Sequence, residues 1–592
     1  MTAATARRLA ATVALALVLS TSGGVGARAD DATPDPTSES QASAAAPSGR
    51  VFTFFGAGWG HGVGMSQYGA YGLALKGWRS ERILRHFYRG TTVGTFDAAP
   101  SRIRVGLLQG KGSVQLEAVT APLRIRLDGR KGAVLAEVPV GETWSVRLRS
   151  GVYRIVRPDG TVASESAPAT STLFVVDAVP GAGVFLPQTG HTYSSGWLEV
   201  GSYQPCTGCP RKLRVVDVVG TQAYLYGIAE VPNSWPEEVL EAQARAARTY
   251  AFQRVATAGQ HRPICDCAVY ASTLDQVFVG DDKRTAPLGE RWVAAVDATR
   301  GEVVLEDGQL ASTYYHSSSG GYTEDVTNVW GGEAPYLQAV CDPGDYVAVN
   351  PNREWEVSMS AADLGSRISS YTGREVGEVR SFSDIVRGES GRILSVTVTG
   401  TLGSVVLSGS ALRRALDLKD TKVWINRDKN ISGRIRETYD RLMCRPGLPT
   451  SVERAVTGGS YQTFEVGAIY ANDATGRAYW LRGPVLEKYA AVGGPEGVLG
   501  LPRSGEQRVV GGTRTRFDRG RIYRSEATGT WALHGPVLDR YLSLKGTRGP
   551  LGYPVTDVFP VGEDRERARF QGGVVTCWPA TGACRVRLFE GG

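Results

Sequence analysis

The sequence predicts an α+β chain made of several units. Three observations carry this. Residues 101 to 227 alternate apolar and polar side chains with period two, residues 236 to 258 show a long apolar pattern at helical spacing, and a C-terminal segment repeats at an interval of about 50 residues. The chain's 592 residues are enough for roughly three or four domains. A hydrophobic content of 42% with 21% charged residues is that of globular material, not of a disordered chain.

The N-terminus reads as an export leader over residues 1–29. Arg7 and Arg8 form a positive start, Leu9 to Leu19 is a short apolar run, and Ala27-Arg28-Ala29 is a small-x-small cleavage site. That run is short for a bilayer, and no later run is longer. The expectation is a secreted protein with no membrane span after cleavage; an uncleaved anchor is the alternative. Residues 30–50 are Ser, Ala and Pro with little to bury, hence a linker.

The glycine-rich stretch "FFGAGWGHGVGMSQYGAYGLALKGW" follows from Phe54, then "SERILRHFYRGT", where Ser80 suits the N-cap of a short helix ending near Tyr88. The alternating region contains "SRIRVGLLQ", "PLRIRLDG", "WSVRLRSG" and "RKLRVVDVV" between Gly, Pro and Asp turns, which reads as strands. In "AEVPNSWPEEVLEAQARAARTYAFQRVAT" Pro236 fits a first helical position, and Glu237 and Glu238 suit the first turn. Two weaker helices start near Ser360, with Asp363 completing a capping box, and near Ser410. In the C-terminal region "GPVLEKY" at 483 returns as "GPVLDRY" at 535, and "LGLP" at 499 as "LGYP" at 551, so small repeated units are expected over 459–586.

The net charge is +7, or +4 without Arg7, Arg8 and Arg28, too weak and too dispersed to indicate nucleic acid. The eight cysteines in an exported chain favour disulfides. Cys206/Cys209 and Cys577/Cys584 are local enough to pair, Cys341 and Cys444 would close a long loop, and a Cys265–Cys267 bridge would be cramped.

The glycines around His61 form neither a dinucleotide fingerprint nor a P-loop, and no histidine begins an HExxH zinc site. Their plainest reading is a tight turn with backbone at positive φ. Glu230 is more specific. Ile228, Val231, Pro232 and Trp235 surround it with apolar groups that would raise its pKa, as a general acid needs. Against this, a helix N-terminus stabilises a carboxylate, so a capping acid or one paired with Arg245 or Arg248 is the alternative. The loop "YYHSSSGGYTEDVTNVWGG" (314–332), with His316, three serines and Trp330, could line a sugar groove or be an ordinary surface loop.

Three stretches together resemble the stage II sporulation protein D (SpoIID/LytB) family: "AYLYGIAEVPNSWPEEVLEAQARAARTYA", "YHSSSGGYTEDVTNVWGG" with "PYLQAV", and "GWGHGVGMSQYGAYGLALKGW" with "ILRHFYRGT". The likeness covers roughly residues 52 to 430. Members studied as enzymes are lytic transglycosylases of peptidoglycan; others have been called amidase enhancers. The resemblance implies a domain over 51–435 with Glu230 as catalytic acid, which accommodates the lack of an obvious second carboxylate. It also implies His61, Gln67, Gln243, Arg248, Ser318, Ser319, Gly320 and Trp330 as glycan-binding candidates. The implied partners are peptidoglycan strands and a wall amidase.

Two departures stand out. The GHGVGMSQ motif precedes the Glu motif instead of following it, so 51–95 is expected to be a circularly permuted piece that docks back beside Glu230. Asp275 occupies a position where the family often has Cys. His261, Cys265 and Cys267 remain nearby at an awkward spacing for zinc, so no metal and no cofactor are expected. The C-terminal units resemble LGFP repeats, which implies a tether to a cell-wall polymer.

Overall fold

The computed structural model describes residues 49–177 and 179–589, so the expected leader and the linker up to residue 48 lie outside the described residues. Two sheets form where period two was read. The first has seven strands, from Val269–Tyr270 through Arg102–Lys111, Lys212–Gly220, Leu198–Tyr203, Leu173–Asp177 and Leu123–Leu127 to Val134–Val138. The second has six, with Ser113–Ala118 and Thr143–Arg149 at its centre. The alternation decides which face is inside. Leu123 and Ile125, Leu173 and Val175, and Leu213 and Val215 are buried in one core with Val114, Leu116 and Val146 of the second sheet.

The long strand Lys212–Gly220 runs directly into helix chemistry. It continues into α3 (Thr221–Tyr226), which packs on α4 (Glu237–Ala258) together with two N-terminal helices, α1 (Gln67–Leu75) and α2 (Ser80–Phe87). Pro236 is the N-cap of α4, one residue before the first helical position, and Gly259 ends the helix. Buried residues lie nearly all round α4, because α1, α2, the helix Gly289–Ala298 and the strand Glu302–Glu306 all pack on it. Ser80 does not cap α2. It is the first helical residue, and its N–H is taken by the Glu238 carboxylate at 2.6 Å while its hydroxyl donates to Glu241 at 2.8 Å. A side chain from another helix thus does the work of the cap.

Residues 51–90 are therefore bound into the fold on two sides. The strand Val51–Gly56 lies between Trp355–Ser360 and Val423–Ile425, placing Phe52 and Phe54 in a second core with Leu364, Ile368 and Leu412. Ile83, Leu84, Phe87 and Tyr88 are buried in the first core. The helix Ala361–Thr372 begins at the expected place, with the Ser360 hydroxyl accepting from the Asp363 N–H, but the expected capping box is only half formed because the Asp363 carboxylate pairs with Arg367 at 2.9 Å. The helix Gly409–Leu416 is capped by Ser408 instead of Ser410.

The C-terminal array holds three four-stranded antiparallel sheets spanning Arg454–Leu481, Gln507–His534 and Phe559–Leu588. One helix precedes each sheet: Gly433–Arg441 the first, Gly483–Ala491 the second and Gly535–Ser543 the third. Each presents a tyrosine six residues after its first glycine, stacked on a phenylalanine of the next sheet: Tyr439 on Phe464, Tyr489 on Phe517, Tyr541 on Phe570. Each phenylalanine also bridges a proline: Pro449, Pro502 and Pro554. The array thus begins near 433, not 459. Its cores straddle neighbouring units, since Ala468, Tyr489, Phe517 and Ile522 share one cluster.

All eight cysteines are paired, Cys206–Cys209, Cys265–Cys267, Cys341–Cys444 and Cys577–Cys584. The bridge expected to be cramped forms because Asp266, between its two cysteines, adopts φ +54°, bringing the Cα atoms to 5.1 Å.

Candidate active site

Glu230 sits in the short loop between α3 and α4, half-buried, with Ile228, Val231 and Trp235 buried around it. Its Oε1 accepts the backbone N–H of Val277 at 2.7 Å. Burial pushes its pKa up to about 7, while the Val277 bond, contacts from Tyr315 and Gln67 and the charge of Lys283 pull the other way. Neither arginine proposed as an ion partner reaches it. Arg245 is engaged with Glu241, Glu302 and the Ser80 hydroxyl, and Arg248 donates to the carbonyls of Val296 and Glu302. Glu230 is not a helix cap either, since the N-cap of α4 is Pro236.

A chain of oriented donors leads to this carboxyl. Tyr224 donates to Gln276 Oε1 at 2.7 Å and Gln276 Nε2 donates to the Tyr315 hydroxyl at 2.8 Å, and the Tyr315 hydroxyl in turn favours the ionised form of Glu230. Burial keeps the Tyr315 hydroxyl protonated. Lys283 donates to Val231 O at 2.5 Å, and burial lowers its pKa to about 8 against the attraction of Glu230. Sequence reasoning missed Tyr315, Gln276 and Lys283. The first two lie inside motifs it had marked, beside His316 and Asp275; Lys283 has no local signal.

The glycine-rich segment comes up against this loop. Gln67, at the start of α1, reaches Glu230 and also donates to Gln243 Oε1 of α4 at 3.4 Å. Met65 and Ser66 run parallel to Tyr315 and His316. Two glycines are dictated by that approach. Gly64 has φ +70° and would place a Cβ 2.1 Å from the Tyr314 carbonyl, and a Cβ on Gly72 would meet the Gly344 carbonyl at 2.0 Å. His61 Nδ1 accepts from the Val63 N–H and Nε2 donates to the Tyr315 carbonyl, both at 3.0 Å, while burial lowers its pKa to about 4. The imidazole is therefore neutral with both nitrogens occupied, and it holds the loop in place.

The remaining candidates divide by exposure. Trp330 is 51% exposed, its ring 4.8 Å from His61 and 4.7 Å from Tyr314. Gln243, Arg248, Ser318, Ser319 and Gly320 are buried, which corrects the expectation that they touch a glycan directly. Ser318 donates to Asp345 at 2.9 Å and Ser319 to Asp342 at 2.7 Å, and Ser66 bonds the same Asp345. Gly320 packs against Ala57, and its carbonyl accepts from Lys422. These groups fasten the loop from beneath.

Asp275, in the place of the family's Cys, is held by Arg254, Arg262 and the Tyr250 hydroxyl. His261 bonds Asp266, and both neighbouring thiols are in the Cys265–Cys267 bridge. Among the described residues no cluster of three or more His, Cys, Asp or Glu is arranged to hold a metal. No helix there is long and apolar enough to cross a membrane.

Comparison with known proteins places the chain among named families. The family model for stage II sporulation protein (SpoIID) matches residues 210–305, and the LGFP repeat matches 447–497 and 499–549. The amidase enhancer of Bacillus subtilis is 34% identical over 138 residues, 23% of this chain and 17% of that protein. Stage II sporulation protein D of the same organism is 26% identical over 182 residues, 28% of this chain and 51% of the relative. An uncharacterized protein of Brachyspira hyodysenteriae is 31% identical over 160 residues, covering 27% and 41%. The chain thus spans about half or less of the length of these relatives. It carries a SpoIID-family domain that contains Glu230, followed by LGFP repeats.

Proposed function

We propose that the protein is an exported, wall-bound lytic transglycosylase with Glu230 as its single general acid. The observation that supports this most is the carboxyl itself, fixed by the Val277 N–H and protonated up to about pH 7 in an apolar loop. Glu230 transfers its proton to the glycosidic oxygen as the bond to C1 of N-acetylmuramic acid breaks. The 6-hydroxyl of the same ring closes on C1 and its proton returns to the carboxylate, giving a 1,6-anhydro end without water. Tyr315 and Gln67 orient the carboxyl, and the exposed Trp330 offers a face for a sugar ring. The repeats hold the protein to a wall polymer.

The test is digestion of purified glycan strands by the full chain. Release of 1,6-anhydromuramyl ends supports the reading, and unaltered strands refute it. A non-catalytic enhancer of a wall amidase is the second reading, favoured by the 34% identity to a protein named amidase enhancer. It expects no cleavage of strands but faster amide hydrolysis when an amidase is added.

A further inference from the structure

We propose that the repeat array carries a cleft for a saccharide chain bearing phosphate or carboxylate groups, where its first helix meets its first two sheets. The inference rests on the reading of the repeats as a wall tether and gives that tether a site and a chemistry. A cleft of about 510 Å³ opens there. Five arginines line it: Arg441 and Arg445 at the end of the helix Gly433–Arg441 and in the turn beyond, Arg482 after the first sheet, and Arg508 and Arg524 in the second. Glu506 is the one carboxylate in the lining, and it reaches Arg524 at 3.4 Å.

Among the described residues, no ion pair is made by Arg441, Arg445, Arg482 or Arg508; Arg441 donates to the Thr438 hydroxyl at 2.9 Å. Five guanidiniums against one carboxylate is a concentrated charge in a chain whose net charge is only +7 over 592 residues. Scattered arginines on a solvated face would not need a cleft, nor convergence from three separate elements. A guanidinium offers paired donors in a plane, matching phosphate and carboxylate oxygens. The sugar is indicated by Trp480 in the same lining. Its Nε1 donates to the Val466 carbonyl at 2.7 Å, fixing the ring, and the Arg482 guanidinium lies 4.3 Å from the ring centroid. A fixed indole beside cations suits an apolar sugar face flanked by anionic groups.

The experiment titrates the full chain with two probes, a poly(glycerol phosphate) oligomer and an oligogalacturonate. It compares wild type with a cleft variant (Arg441→Gln, Arg482→Gln, Arg508→Gln) and a control variant of equal charge change (Arg548→Gln, Arg585→Gln, Arg587→Gln). The expected result is binding of at least one probe, weakened about tenfold or more in the cleft variant and less than about twofold in the control, with unchanged melting. The preferred probe identifies phosphate or carboxylate as the source. Equal weakening in both variants means diffuse attraction and overturns the proposal, as does failure of both probes to bind. Sedimentation of the wild type with cell-wall fragments separates the two readings. If it sediments but binds neither probe, the tether reading stands and the anionic cleft falls; if it does not sediment, the tether reading itself fails.

Discussion

The backbone N–H of Val277 lies 2.7 Å from Glu230 Oε1, joining residues 47 positions apart. That bond alone would favour the ionised carboxylate. Burial among Ile228, Val231 and Trp235 opposes it and prevails, so the carboxyl is oriented without being fully ionised at neutral pH. An amide oxygen would accept the same N–H but could not release a proton.

For this reason Glu230→Gln is expected to lower glycan cleavage by about 100- to 10,000-fold while folding and wall binding are retained. Mass spectrometry of anhydromuramyl products, with circular dichroism alongside, checks it. Cleavage at the wild-type rate would remove Glu230 from the acid role.

The same carboxyl links activity and stability to pH. Glu230 and Asp342 have pKa values raised to about 7 and Asp217 to about 8, all chiefly by burial. The folded chain therefore binds more protons than the unfolded chain between about pH 4 and these values. Their contribution to stability is full below about pH 4 and is lost as pH rises through 7 to 8. Thermal melting should fall over that range, and less so in Glu230→Gln, which removes one of the three groups. Cleavage should decline above about pH 7. A melting temperature that rises from pH 5 to pH 8 would contradict the assignment.

A chain beginning at residue 98 is expected not to fold natively, although it keeps Glu230 and all of α4. It lacks Phe52, Phe54, Ile83, Leu84, Phe87 and Tyr88, all buried. Each is worth roughly 1.5–3 kcal/mol on burial, and together they rival the roughly 5–15 kcal/mol by which a domain is stable. Native-like melting and full cleavage by the shortened chain would show that 51–90 is only a spacer.

Ending the chain after residue 458 is expected to loosen what remains, because the cut passes through a shared core. Tyr439 and Ile435 would lose Phe464, Ile469 and Ala471. Phe464→Ala should reproduce much of the effect, about 3–5 kcal/mol on the first unit. Limited proteolysis at 433–458 reads the result; resistance equal to that of the full chain would mean that the units are independent.

Trp330→Ala should leave melting unchanged and reduce kcat/KM on glycan by roughly three- to tenfold, as loss of one stacking face would. No change in kcat/KM would place the glycan elsewhere.

Much of this was legible along the chain. Alternation at Leu123–Leu127 or Lys212–Gly220 names the buried face of a strand because side chains in a strand point alternately to either side. The apolar neighbours of Glu230 announce a raised pKa because they are adjacent in sequence. The repeat period was visible too, although "PGLP" at 446–449 and the glycine–tyrosine spacing of Gly433 and Tyr439, which extend the array backwards, were overlooked. Contacts between distant segments left no such trace. Ser80 looks like a cap until Glu238 arrives from α4 and takes its N–H. Ser318 and Ser319 look like a sugar-binding surface until Asp345 and Asp342 are seen to cover their hydroxyls. Lys283 enters the site only because the loop before α4 and residues 281–285 fold onto each other. Local patterning sets which groups seek burial or a partner, whereas the identity of that partner depends on chain segments brought together by packing.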